Sequence, residues 1–85
     1  MKDKYSKIFP YSEFFERFVC QYEEFRFFYN GKTIDISYCS ENSAALAYGN
    51  EEAGYLWKDY SSPQQFLQDP IFEGKTIKEI WDELE

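Results

Sequence analysis

The chain is 85 residues long, which is enough for one hydrophobic core and too short for two. Sixteen Asp and Glu outnumber nine Lys and Arg, and the net charge of −7 disfavours direct binding to nucleic acid or to an anionic membrane. Histidine is missing altogether, so the commonest general base and metal ligand belongs to no site in this chain.

Catalytic and metal-binding patterns are also missing from the sequence. There is no glycine-rich phosphate loop, no G-x-S-x-G elbow and no regular spacing of metal ligands. The adjacent carboxylates Glu51 and Glu52 fall in a predicted loop, but they lack the ligand spacing of a calcium-binding loop. We therefore predict that the protein is not an enzyme and holds no metal or cofactor.

The two cysteines, Cys20 and Cys39, are isolated and have no C-x-x-C spacing. No apolar run is long enough to span a bilayer, and the N-terminal lysines are not followed by the apolar segment of a signal peptide. These features predict a reduced protein of the cytoplasm with buried thiols. A disulfide is the alternative, and it would require the end of the first helix to lie beside the second strand.

Residues 1–9 are predicted to form a mobile polar tail, and residues 10–85 a single domain. The first helix follows Pro10, takes Ser12 as its N-cap and ends near Gln21. Five apolar residues recur within it at helical spacing, and we expect the stripe that they form to pack on a sheet. They are Phe14, Phe15, Phe18, Val19 and Tyr22.

The segment 23–39 predicts a β-hairpin that turns at Asn30 and Gly31. An Asn-Gly pair between two alternating runs favours a type I′ turn, in which both central residues have positive φ. A two-residue loop then fixes the register, and a slip of one residue would move every side chain to the other face. The predicted pairs are Tyr29 with Lys32, Phe27 with Ile34, Phe25 with Ile36 and, on the opposite face, Arg26 with Asp35.

This hairpin has one apolar face and one largely polar face, as expected for an antiparallel sheet that is covered on one side only. Phe28 is the exception, because it falls on the polar face near the turn, and we predict that it belongs to an exposed patch. The predicted apolar face consists of Phe25, Phe27, Tyr29, Ile34, Ile36 and Tyr38.

A second hairpin is predicted after a short polar connection at residues 39–42. Its first strand, Ala44–Tyr48, has weak β-propensity because it is rich in alanine, so whether it is a true strand stays open. Its second strand, Gly54–Tyr60, is aromatic and has a clearer strand pattern. Residues 49–54 form the loop between them, and a sheet of three or four strands follows.

Two helices are predicted after the sheet. Ser62 as N-cap and Pro63 at the first position begin a short helix that ends at Gln68, before Asp69-Pro70. Thr76 and Glu79 form a capping box for a C-terminal helix. This last helix is amphipathic, with apolar residues at i, i+3, i+4 and i+7: Ile77, Ile80, Trp81 and Leu84.

Three segments carry a resemblance to a known group of proteins. They are F-x-F-x-Y-N-G-K-x-I-x-I at residues 25–36, YSSPQQFL at 60–67 and GKTIKEIW at 74–81, with a Gly-rich acidic loop between the first two. Over residues 23–84 the chain resembles small uncharacterised acidic proteins of Gram-positive bacteria and their phages and mobile elements. The shared residues are turns, caps and core positions, so the resemblance implies a fold and no active site.

Together these patterns predict an α+β fold: an N-terminal helix, a three- or four-stranded antiparallel sheet, a short helix and an amphipathic C-terminal helix, all packed on the face of Phe25, Phe27, Ile34 and Ile36. The leading functional hypothesis is a protein–protein interaction module with a basic partner, such as a phage-type inhibitor or an immunity protein. Its predicted partner-binding residues are Phe28, Glu51, Glu52, Asp82, Glu83 and Glu85.

Two alternatives stay open. The first is a small-molecule-binding domain with a pocket lined by Tyr55, Trp57, Tyr60 and Trp81. The second is a homodimer that pairs through an exposed sheet edge or through the face of Phe28.

Overall fold

A four-stranded antiparallel sheet with helical segments on one face forms the protein in a computed structural model that describes residues 9–85. The strands lie in the order β1-β2-β3-β4, so each pairs with its neighbour along the chain. The predicted α+β class is therefore confirmed, and of the three or four antiparallel strands predicted the sheet has four. The helices are α1 (Tyr11–Phe15), a π-helix (Glu16–Cys20), α2 (Pro63–Gln68) and a 3-10 helix (Trp81–Glu83); the strands are β1 (Phe25–Tyr29), β2 (Lys32–Ser40), β3 (Ser43–Asn50) and β4 (Gly54–Tyr60).

The predicted mobile tail lies outside the described residues, except for its last member, Phe9. Phe9 is half-buried, and its ring packs 6.3 Å from that of Phe25 and 6.1 Å from that of Trp81, measured between ring centroids. The carbonyl oxygen of Phe9 also accepts a hydrogen bond from the indole N–H of Trp81. Phe9 thus belongs to the packed structure.

The first hairpin has the predicted register throughout: β1 pairs with β2 through all the predicted partners. Asn30 and Gly31 have φ of 54° and 79°, as a type I′ turn requires. On the solvent face, the guanidinium of Arg26 donates to the carboxylate of Asp35 at 2.6 Å. The turn chemistry and the side-chain alternation therefore select the same pairing.

One residue of this hairpin was wrongly assigned to the apolar face. Tyr38 is 78% exposed, because the register between β2 and β3 shifts between Ser37 and Ser40. A bulge of this kind inserts one extra residue and turns the chain locally, and Tyr38 adopts φ of 54° there. The bulge also carries β2 on to Ser40, so the predicted connection at 39–42 shrinks to the turn at residues 41–42.

The core lies between the sheet and the helical segments, as predicted, but two members of the predicted helical stripe, Phe15 and Tyr22, are exposed. Tyr22 lies beyond the end of the helix. The buried ring of Phe14 is in contact with the rings of Phe25, Phe27 and Trp81, with centroid distances of 5.0, 5.7 and 4.9 Å. Phe66 of α2 packs in the same way against Phe18. The sheet contributes to this core its inner face, which we define by its buried members Phe27, Tyr29, Ile34, Ile36, Ala44, Leu46, Tyr48 and Tyr60.

The start of α1 differs from the prediction. Pro10 occupies the N-cap position and Ser12 lies inside the helix, where its side chain makes no capping hydrogen bond. The fixed φ of Pro10 (−73°) suits the residue that leads into a helix, and this preference prevails over the capping preference of serine. The predicted end near Gln21 is confirmed, since Gln21 caps the π-helix.

Helix α2 has the predicted bounds and the predicted cap. The hydroxyl of Ser62 accepts a hydrogen bond from the backbone N–H of Gln65, and Pro63 is the first helical residue. Asp69 adopts an extended conformation and ends the helix before Pro70.

The C-terminal amphipathic helix is not confirmed. The capping box forms, because Thr76 and Glu79 exchange hydrogen bonds of 2.8 and 3.3 Å, but residues 77–80 are turns and only Trp81–Glu83 are helical. Leu84 is extended (φ −75°, ψ 152°), and Glu85 makes two backbone hydrogen bonds to Phe28 of β1. This strand-like pairing requires the chain to leave the helix before Leu84.

The described helices are all short. None of them within residues 9–85 combines the length and the apolar character needed to cross a bilayer.

Candidate interaction surface

Strand β4 is one edge of the sheet and has exposed large apolar side chains at three consecutive positions, more than any other segment of the described chain. Tyr55 is 45%, Leu56 43% and Trp57 73% exposed. The other large apolar residues with high exposure, Phe15, Tyr22 and Tyr38, lie singly on separate segments. Single exposed aromatics are common on protein surfaces, whereas several exposed apolar residues along one edge strand indicate a candidate interaction site.

The neighbouring strand, β3, explains why the rings of Tyr55 and Trp57 are exposed. Trp57 pairs with Ala47, and Tyr55 pairs with Gly49, so no large side chain lies beside either ring on the outer face. The two rings contact each other instead, with their centroids 6.0 Å apart. We call the uncovered side of the sheet that carries them the outer face, opposite to the inner face defined above.

Gly49 is also needed for the close approach of β3 and β4. A Cβ atom at this position would clash with the backbone carbonyl oxygen of Gly54. At the same end of the sheet, the side-chain amide of Asn50 donates to the carbonyl oxygen of Gly31 and its carbonyl accepts from the N–H of Ala53. Asn50 thereby holds the β3–β4 loop against the first hairpin turn.

On the inner face, the two ends of β4 differ. Near its C-terminal end, Asp69 Oδ2 accepts hydrogen bonds from Lys58 Nζ at 2.6 Å and from the hydroxyl of Tyr60 at 2.8 Å. The hydrogen bond from Lys58 lowers the pKa of Asp69, while burial, followed by the bond to Asp69, raises the pKa of Tyr60. This half of β4 is therefore fixed to the end of α2.

The other half of β4 borders an open depression of about 380 Å³. Leu56 is the inner-face residue there, and half-buried Ile71 contributes a second aliphatic side chain. The residues that line it are Lys32, Tyr48, Gly49, Ala53, Gly54, Tyr55, Leu56 and Ile71.

Several carboxylates near β4 form no ion pair within residues 9–85. Lys58 pairs with Asp69, and Lys32 pairs with Glu73 at 3.7 Å. Glu51 and Glu52 in the β3–β4 loop and Asp59 in β4 are exposed, and the ion pairs formed within residues 9–85 do not include them. We define the β4 surface as Glu51, Glu52, Tyr55, Leu56, Trp57 and Asp59.

The predicted partner-binding residues are split between the two edges of the sheet. Glu51 and Glu52 belong to the β4 surface, whereas Phe28 lies in β1 at the other edge. Asp82, Glu83 and Glu85 are exposed and lie on the segment that ends against β1. The structure therefore does not gather the predicted carboxylates into one patch.

Phe28 is half-buried on the outer face. Its backbone N–H and carbonyl both hydrogen-bond to Glu85, each at 2.9 Å. The edge of β1 is thus paired at the residue that we expected to offer a free surface, so this edge has less to offer a partner than β4.

The aromatic pocket predicted for a small molecule does not form. Tyr55 and Trp57 lie on the outer face, while Tyr60 is buried against Phe66 on the inner face. Trp81 is buried as well and packs on Phe14. Alternation along β4 separates residues that follow one another in sequence, so these four rings share no cavity.

The cysteines are unpaired, and the predicted burial of their thiols is wrong for Cys20, which is exposed. Cys39 is half-buried, and burial, together with the charge of Glu24, raises the pKa of its thiol to about 11. Such a thiol is protonated at neutral pH, so Cys39 has little nucleophilic character.

Sequence reasoning missed Leu56 and Asp59 as members of a surface, and it placed Tyr55 and Trp57 in a pocket. The available signal was the alternation of Ala45, Ala47 and Gly49 on the preceding strand. Small residues at alternate positions leave the facing strand without large neighbours on that side.

Comparisons of the chain with protein-family models, with curated proteins and with solved structures found no match.

Proposed function

We propose that this protein is an interaction module that binds a basic protein partner through the β4 surface. The observation that carries the proposal is a set of exposed apolar side chains on edge strand β4, with Tyr55 and Trp57 on the outer face and Leu56 on the inner face. Beside them lie carboxylates that form no ion pair within residues 9–85. Aromatic residues supply much of the binding energy in protein interfaces, and charged groups at the rim select and steer the partner.

The net charge of −7 supports a partner of opposite sign. Two concrete versions fit this chemistry: an inhibitor that presents carboxylates to the basic surface of a nucleic-acid-binding protein, and an immunity protein against a basic toxin. In both versions the module acts by binding alone and does no chemistry of its own. A cytoplasmic location belongs to the same proposal, and the unpaired state of Cys20 and Cys39 supports it.

The proposal is tested by selecting short random peptides, displayed on phage, against the immobilised protein at low ionic strength. We expect the selected peptides to be rich in Lys and Arg and to contain apolar residues. Their binding should weaken strongly in ~1 M salt, where the Debye length falls to about 3 Å.

Matched charge-reversal variants locate the binding surface. Glu51→Lys with Glu52→Lys changes the β4 surface, whereas Asp82→Lys with Glu83→Lys changes the β1 side by the same amount of charge. We expect the first pair of substitutions to abolish binding of the selected peptides and the second to leave most of it. Selection of neutral or acidic peptides, or equal losses in the two variants, would contradict the proposal.

A further inference from the structure

Building on the proposed function, we infer that the partner binds as a β-strand that extends the sheet at β4. The strand carries Lys or Arg at the positions that face the outer side of the sheet and apolar residues at the positions that face the inner side. This inference rests on the proposed function and adds to it the conformation and the residue pattern of the partner segment.

The backbone of β4 is the first reason. The strand is seven residues long, contains no proline and pairs with β3 on one side only. Alternate residues of an edge strand direct their N–H and carbonyl groups away from the sheet, where they can bind another strand. Within residues 9–85, no backbone group hydrogen-bonds to that free side of β4.

The outer face supplies the preference for cations. Side chains directly opposite on neighbouring strands have Cβ atoms about 5 Å apart, so an added strand would place its outer-face residues beside Trp57 and Asp59. A Lys or Arg there meets the exposed indole face of Trp57, a favourable cation–π partner, and the carboxylate of Asp59. Glu51 and Glu52 add negative charge where β4 begins.

The inner face supplies the preference for apolar residues. An inner-face side chain of the added strand would lie beside Leu56 and reach the depression that Ile71 also lines. It would remove from water the exposed part of Leu56, which is 43% of that residue. Because Lys58, the next inner-face residue of β4, is already paired with Asp69, this side does not require an anion from the partner.

Charge favours a basic strand over a second copy of this chain. Two copies joined at β4 would bring together two sets of Glu51, Glu52 and Asp59, and each chain carries a net charge of −7. Like charges opposed across strands are destabilising. A basic strand meets the same carboxylates with opposite charge.

The test uses a peptide of alternating Arg and Ile with seven residues, the length of β4, and blocked termini. Binding is followed by fluorescence of the exposed Trp57, in the variant Trp81→Phe if the buried indole interferes. Amide hydrogen exchange then shows where the peptide binds. We expect the peptide to slow the exchange of alternate amides within residues 54–60 and to leave the exchange rates of the β1 amides unchanged.

Two control peptides have the same side chains and the same charge as the test peptide. One groups the Arg residues at one end and the Ile residues at the other, and the second carries N-methyl groups on its backbone amides. We expect each to bind about tenfold more weakly or worse, because the first loses the alternation and the second loses the interstrand hydrogen bonds. Trp57→Ala should weaken binding by a similar factor, and Tyr38→Ala, which removes another exposed ring, should not; these variants are followed by calorimetry.

The outcomes separate the two levels of the proposal. If all three peptides bind equally at the β4 surface, the basic-partner function stands and the strand model is overturned. If none binds and the phage selection yields no basic sequences, both are overturned. Concentration-dependent dimerisation of the free protein, with protection of β4 amides, would assign the edge to a second copy and also overturn the inference.

Discussion

The two edge strands of the sheet bury very different shares of their side chains. In β1, Phe27 is buried against Phe14 of α1, and Tyr29 is buried against Phe72. The backbone of Phe28 pairs with Glu85. In β4, only Tyr60 is buried among seven residues. The outer faces differ too: a short ion pair, Arg26 with Asp35, crosses from β1 to β2, whereas alanine and glycine lie beside the rings of β4.

The difference shows that the two edges of one small sheet contribute very unequally to its core. The chain protects one sheet edge with its own last residues, which also limits unwanted strand pairing. The other edge keeps exposed apolar side chains that contribute little to the core. Substitutions on such an edge should therefore cost little folding stability.

The largest expected difference between the two edge strands is in the loss of stability when one aromatic residue of each is replaced by alanine. Phe27→Ala removes a ring that packs on Phe14 and Trp81 and should lower the free energy of unfolding by about 3–5 kcal/mol. Trp57→Ala should change it by no more than about 0.5 kcal/mol. Urea unfolding of both variants measures the contrast, and similar losses would show that β4 is not an open edge.

Removal of the residues that cover β1 should have the next largest effect. A chain without Leu84 and Glu85 loses a buried side chain and the two backbone hydrogen bonds to Phe28, which should cost about 2–4 kcal/mol. The amide of Phe28 should then exchange faster with solvent. Glu85→Ala is the control, because it keeps both backbone bonds, and a slow Phe28 amide in the truncated chain would argue against this pairing.

The two hairpins can be compared through their glycines. Gly49→Ala places a methyl group against the carbonyl of Gly54 and should cost about 1–3 kcal/mol, because a backbone atom must move. Gly31→Ala meets no atom within 4 Å, but its φ of +79° is unfavourable for alanine, so we expect about 1 kcal/mol. Urea unfolding distinguishes the two, and a larger loss at Gly31 would contradict this order.

The smallest effect concerns the attachment of β4 to α2. Asp69→Asn weakens the hydrogen bonds from Lys58 and Tyr60 and should cost about 1 kcal/mol at neutral pH. The folded-state pKa of Asp69 lies below its ordinary value of 3.8. The stabilisation of the folded state by the Asp69 carboxylate is therefore fully present above pH 3.8, and it is lost as the pH falls through the lowered pKa.

Urea unfolding at neutral pH and at a pH well below 3.8 measures this dependence. The control is Asp59→Asn, which changes an exposed carboxylate next to Lys58 that accepts no hydrogen bond within residues 9–85. A difference between wild type and Asp69→Asn that persists in acid would contradict the assigned role of the charge.

Local signals were sufficient for much of the fold. The register of β1 with β2 follows from the Asn30-Gly31 turn and the alternation around it, and the bounds of α2 follow from Ser62 and Pro63. These patterns succeed because turn and cap preferences act over a few residues. The weak propensity of the alanine-rich strand did not prevent β3, which is held by pairing on both sides.

The candidate surface was harder to predict, because it depends on which strand lies at an open edge. The acidic loop was identified correctly as exposed, but the C-terminal carboxylates were grouped with it although they lie near β1. Tyr55 and Trp57 were assigned to a pocket with Tyr60 and Trp81, since sequence proximity alone does not tell the two faces of an edge strand apart. Tyr38 was misplaced for a related reason: a single inserted residue at the bulge reverses the alternation.

By itself, the sequence determined the register of the first hairpin, the short helix α2, most of the apolar core positions and the excess of negative charge. Each of these depends on interactions between residues close in the chain or on composition. Only the tertiary structure decided that the C-terminal segment ends as a strand-like cover on β1 and that β4 stays open. The cover on β1 depends on the backbone pairing of Glu85 with Phe28, two residues far apart in the chain. This long-range pairing prevails over the helical preference of a short segment.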